Sequence, residues 1–186
     1  KTKALSLFKA SVAEEADARG ALFYALSPLT ANACYVPSCN SMLIFCGFTF
    51  SREPFSSLSL EEKLAEYGLV IGHELTHGFD TNGCFYDING RFNGESIFSS
   101  ESATKFNALA EKLESIYDGK EPMVGFETQG NVVISEAIAD QGGLDTCLTI
   151  AGKQRNFDYD KFFKDLAAHF YSYGRRDTIF YAYSGD

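Results

Sequence analysis

His73, Glu74 and His77 carry the most specific chemical signal in this sequence, inside the run Val70-Ile71-Gly72-His73-Glu74-Leu75-Thr76-His77-Gly78-Phe79-Asp80. On a helix, residues four apart project from one face a turn apart, so both imidazoles can reach a single metal ion. Neutral imidazole suits zinc, and a tetrahedral site of two His and one carboxylate leaves its fourth position to water. Glu74 is rotated about 100° from His73, outside the ligand pair but close enough to touch that water. Its chemistry there is that of a general base, because the metal brings the pKa of water down toward about 7. The competing reading is an amphipathic helix whose histidines are merely packed or hydrogen-bonded. The chain has three His in all, and two of them flank a Glu at ligand spacing, which favours the metal.

A third ligand must come from elsewhere. Ser135-Glu136-Ala137-Ile138-Ala139-Asp140 lies in a stretch, 131–150, that reads as a helix. Glu136 and Asp140 are four apart, so a metal-facing Glu136 puts Asp140 one turn away on the same face. Two carboxylates on the apolar side of a helix need partners, and a metal and an imidazole N–H would satisfy both. Asp80, one turn past His77, is a candidate to accept the other ring N–H of a metal-bound histidine.

The elements that must position these groups are legible in outline. Ser59-Leu60-Glu61-Glu62 reads as a capping box opening a helix that runs through His77, with an apolar middle suited to burial. Ahead of it, 32–36 and 41–47 are short apolar runs around the turn composition Pro37-Ser38-Cys39-Asn40, a β-hairpin. An edge strand beside a metal helix could pair with an extended peptide. Residues 1–26 show helical periodicity, 81–98 read as turns, and helices are expected over 99–117, with Phe106, Leu109, Leu113 and Ile116 inward, and over 159–173. The third histidine, His169, lies in that last helix and reads as a packing or surface residue.

The 186 residues, 45% hydrophobic, suffice for one domain with a substantial core. A net charge of −9 argues against nucleic acid or an anionic membrane surface as partner. No apolar run approaches the roughly 20 residues a bilayer span needs. Five cysteines, Cys34, Cys39, Cys46, Cys84 and Cys147, leave at least one thiol unpaired within the chain, and there is no Asn-x-Ser/Thr sequon. Both features favour a reducing, cytoplasmic compartment, with the cell surface or secretion as the alternative. A Cys34–Cys39 disulfide stays open.

Several segments, in order, resemble the neprilysin and endothelin-converting-enzyme family of zinc metallopeptidases. Asn32-Ala33-Cys34-Tyr35 is similar to its Asn-Ala-aromatic-Tyr segment, 70–80 to its zinc helix, and 135–143, ending Gln141-Gly142-Gly143, to its Glu-x-x-x-Asp helix. The resemblance implies that His73, His77 and Glu136 bind one zinc ion and that Glu74 is the catalytic base. Asp140, counted with Glu74 as catalytic, would orient His73, and Asp80 would orient His77. Asn32 and Ala33 would bind the substrate backbone, and Val70 and Phe170 would line a side-chain pocket. The implied fold is a thermolysin-like zincin catalytic domain, α+β and mainly helical, with a small β-hairpin beside the metal helix. The implied activity is endopeptidase cleavage of small peptides.

There are departures from the family pattern. Cys34 stands where an aromatic is usual, Cys46-Gly47-Phe48 replaces Pro-Ala-Gly, and Phe170 replaces a pocket Trp. The family's helical cap domain has no counterpart, and its Asp-x-His-x-Pro segment and following Arg would begin at Asp186. The expectation is a single catalytic domain, 1–186, truncated at both ends, that holds zinc but cuts peptides poorly or not at all. The alternative is a non-catalytic interaction module with structural zinc or no metal.

Overall fold

A computed structural model of the chain describes residues 29–49, 54–121, 125 and 127–173, with side chains to residue 169. The helix expected over 1–26, the aromatic run 179–186 and the side chain of Phe170 lie outside the described residues. The fold is mainly helical with one small antiparallel sheet, in agreement with the expected α+β class.

The hairpin pairs β1 (Ala33–Val36) with β2 (Ser41–Ile44), Ala33 opposite Ile44 and Val36 opposite Ser41. Its turn is a 3₁₀ segment over Pro37–Cys39 closed by Asn40 at φ 43, the left-handed conformation that Asn tolerates better than most residues. The second strand stops sooner than the apolar run suggests. Cys46–Thr49 form a one-turn helix, α1, in which Gly47 lies directly under the Leu29 and Thr30 carbonyls, where a side chain would collide.

The capping box at Ser59 and Glu62 is formed in both directions and opens α2 (Leu60–Lys63). The rod continues through a π-helical turn, Leu64–Gly68, into α3 (Leu69–Thr76). The wide turn meets a residue of another helix. Cys147 donates its thiol to the Leu64 carbonyl at 3.5 Å, and its sulfur occupies the space beside Gly68. Hydrophobic periodicity carries no trace of such an insertion.

α4 (Ser100–Tyr117) is N-capped by Ser99 and lies on α5 (Gly130–Ala151). The inward face expected of α4 holds only in part, since Leu109 and Ile116 are exposed. At the C-terminal end of the metal helix, Leu75 and Phe79 are also exposed. The deep core lies at the other end, where Leu64, Ala65 and Leu69 meet Cys147 of α5 and Phe162 of α6 (Tyr159–Tyr173). Phe162 is wholly buried, whereas its neighbour Phe163 is exposed.

What positions the site is the crossing of α3 and α5. A Cβ on Gly143 would fall 2.6 Å from the Leu69 carbonyl oxygen and 2.9 Å from the His73 nitrogen, and one on Gly72 would fall 2.9 Å from Gly143 Cα. The two backbones touch where neither residue has a side chain. Such contact brings groups on facing helix surfaces within reach of one another.

Candidate metal centre

α3 presents His73 and, at its C-cap, His77, and α5 presents Glu136. His73 Nε2 and His77 Nε2 are 3.0 Å apart, His73 Nε2 and Glu136 Oε2 3.2 Å, and His77 Nε2 and Glu136 Oε1 3.6 Å. Tetrahedral zinc with ligands at about 2.0–2.1 Å would set their atoms about 3.3 Å apart, so these spacings fit such an ion. Among the described residues, this trio is the group able to hold a metal.

The other ring nitrogens fix the tautomers. His73 Nδ1 meets Asp140 Oδ1 at 2.9 Å, and His77 Nδ1 meets Asp80 Oδ2 at 2.7 Å. A ring that gives its Nδ1–H to a carboxylate keeps its Nε2 lone pair, and both lone pairs face the Glu136 carboxylate. Three acceptors aimed at one point repel unless a cation lies between them. Without a metal the cation is a proton. Burial opposes charge on His73, but the hydrogen bonds and charges of Asp140 and Glu136 outweigh it and raise the ring to about 10. Burial would likewise raise Glu136, yet its bond to His73 and the two rings hold it below the usual carboxylate value.

Asp80 belongs to a local knot. One oxygen accepts the Asn82 and Gly83 amides at 2.7 and 2.6 Å, and the other accepts His77 and the Ser135 hydroxyl. Burial alone would raise this carboxyl. The four hydrogen bonds prevail and hold it low. Nothing in the local sequence flags Ser135, because its partner lies 55 residues away.

Glu74 sits beside the trio without joining it. It is buried, which raises its pKa against the pull of the two histidines and of the Tyr35 backbone. A carboxylate raised in this way is a stronger proton acceptor than an exposed one. β1 packs against the metal helix beside the group expected to act as base.

The cleft over these groups is about 490 Å³. Asn32, Ala33 and Cys34 form one wall, His73, Glu74 and His77 the floor, and Ser135 and Glu136 the other wall. The Asn32 side chain accepts the Ala33 N–H at 2.9 Å. Val70 is half-buried one turn before Glu74 and is not among the residues lining the cleft. Cys34 faces it as a free thiol, pushed up by burial and by Glu74, and all five cysteines are free, so no Cys34–Cys39 bond is present. Asn82 and Pro37 also line the cleft, and neither carries a motif signal.

The family model described as peptidase family M13 matches residues 32–182. The chain is 33% identical over 138 residues to the neutral endopeptidase of Lactococcus lactis subsp. cremoris, which covers 73% of this chain and 21% of that protein. Among solved structures, PEPO from Lactobacillus rhamnosis HN001 (DR20) aligns with a TM-score of 0.71 at 27% identity, over 78% of this chain and 23% of that one. The Mycobacterium tuberculosis zinc metalloprotease ZMP1, in complex with inhibitor, aligns with a TM-score of 0.66 at 26% identity, over 76% and 24%. The chain thus spans about a fifth to a quarter of the length of these relatives. The match takes in the hairpin, the histidine helix and the carboxylate helix in one stretch, and the chain belongs to peptidase family M13.

Proposed function

We propose that this chain forms the zinc-binding part of the active site of an endopeptidase that cuts small peptides. The observation that carries the reading is the convergence of His73, His77 and Glu136 at tetrahedral spacing beside a buried Glu74 that is not a ligand. A structural metal site has no use for that extra carboxylate.

His73, His77 and Glu136 would hold the ion, with Asp140 and Asp80 orienting the two rings. Bound there, zinc supplies Lewis acidity, polarising the peptide carbonyl and making water acidic near neutral pH. Glu74 takes the proton from the attacking water, its affinity for protons raised by burial, and is placed to hand that proton to the departing amine. Asn32 and Ala33 offer the peptide a polar side chain and strand backbone at the rim, so the substrate can lie extended along β1. None of the described helices is long and apolar enough to cross a membrane. Five free thiols support a reducing compartment for the whole protein.

The test is Glu74→Gln in the full-length protein. Zinc content should stay at one ion per chain while cleavage of a short fluorogenic peptide falls by about 10²–10⁴-fold, the usual worth of a positioned general base. Unchanged cleavage would remove Glu74 as the base.

A further inference from the structure

Ser135 precedes Glu136 on α5 and has no role in the motif that contains it. We propose that Ser135 is a positioning residue, its hydroxyl pinning the Glu136 end of α5 to the His77–Asp80 arm of the metal centre. The proposal rests on the zinc reading above.

The geometry is a closed ring. His77 donates to Asp80 Oδ2 at 2.7 Å, and Ser135 donates its hydroxyl proton to the same oxygen. The backbone then leads one residue on to Glu136, whose Oε1 faces His77 Nε2 across 3.6 Å. The other Asp80 oxygen is taken by the Asn82 and Gly83 amides, so the carboxylate cannot rotate to follow a shifting partner. Asp80 is only 2% exposed, which leaves little access for water to replace a lost donor.

The end of α5 that needs fixing is this one. Glu136 is the most exposed of the three ligands, its side chain at 43% against 17% and 16% for the two histidines. α5 touches α3 closely at Gly143, two turns further along. Asp140 ties the helix to His73 on one side of Glu136, and Ser135 is the tie on its other side. Zinc holds its ligands at about 2.0–2.1 Å, so a carboxylate that drifts costs affinity.

Zinc affinity of the full-length protein, measured by competition with a chelator, tests this in the wild type, Ser135→Ala and Ser135→Thr. Ala should weaken zinc about tenfold, the lower end of what losing an outer partner costs, and Thr, which keeps the hydroxyl, should restore it. Cobalt(II) gives a second readout, because its visible bands report ligand geometry rather than overall stability. Those bands should change in Ala and return in Thr. Zinc affinity and cobalt bands unaltered in Ser135→Ala would overturn the role of the hydroxyl while leaving the metal centre intact, and so would Thr behaving like Ala. A wild type that takes up no zinc would overturn the metal reading and this proposal with it.

Discussion

The two imidazole–carboxylate pairs of the centre look alike on paper and are built differently. His77 and Asp80 are three residues apart, on the last turn of the metal helix and the loop that leaves it, and Asp80 is buried under four hydrogen bonds. His73 and Asp140 are 67 residues apart on two helices, and the Asp140 side chain is 36% exposed. Three of the four hydrogen bonds of the first pair come from a short segment that folds its own carboxylate into place, and Ser135 of α5 adds the fourth. The second exists only because α3 and α5 approach at Gly72 and Gly143. One arm is therefore set mainly by local structure and the other by packing.

Breaking the packing should damage the arms unequally, and this is the largest effect expected. Gly143→Val would drive side-chain atoms into the Leu69 carbonyl and the His73 backbone. Separating the helices should cost about 1–3 kcal/mol of stability, as overpacking does. It should also withdraw Asp140 and Glu136 together from His73, so zinc affinity should fall at least 100-fold, as expected when a ligand and an outer partner go at once. Thermal unfolding and chelator competition measure the two losses. In NMR spectra the His77 Nδ1–H signal should persist while that of His73 is lost. Equal loss of both signals would mean that the arms are not independent.

Removing each carboxylate's charge should sharpen the contrast. Asp80→Asn leaves a buried knot with a mismatched amide, since two of its donors, His77 and Ser135, then face an NH₂ or a single oxygen. It should destabilise the metal-free protein by about 1–3 kcal/mol. Asp140→Asn, at a half-exposed position, should weaken zinc affinity by about tenfold, and its cost to the metal-free fold should vanish above about pH 10, where His73 has lost its proton. Urea titration beside zinc competition separates the two outcomes. The Asp80 carboxyl is held low by its partners, so its contribution is present above about pH 4, the ordinary value, and fades as acid protonates it in the fold. Asp80→Asn should accordingly flatten the acid limb of the stability curve.

The same division decides what could be read from the sequence. His73 and His77 are joined by helical spacing and Asp80 follows three residues on, so this arm is legible from residue order. Glu136 and Asp140 could be nominated from a helix pattern, and their meeting with the histidines was implied by resemblance to a known family rather than by any local rule. The capping box at Ser59 was legible because Ser59 and Glu62 satisfy each other within one turn. The π turn at Leu64–Gly68 was not, because the residue it meets, Cys147, lies on another helix. Ser135 was missed for the same reason. Leu109 and Ile116 of α4 were expected inward because periodicity names an apolar face without saying what covers it.

The smallest signal expected is a proton count, and it again distinguishes the arms. In the metal-free protein His73 is raised to about 10 by Asp140 and Glu136 against the effect of burial. A group raised on folding stabilises the fold fully below its unfolded value, about 6.5. That contribution declines as pH rises, since the unfolded ring then releases its proton while the folded ring keeps it, and it is gone above about 10. Zinc must displace that proton, because a metal-bound imidazole is neutral. Calorimetric titration of zinc at pH 8, in buffers of different ionisation enthalpy, should report about one proton released from the protein. In Asp140→Asn the ring loses a partner that holds its proton, so the released fraction should drop well below one. Should the count stay at one, the proton that zinc displaces would have to be held by Glu136 alone, and the packing-built arm would have no electrostatic role in the metal-free state.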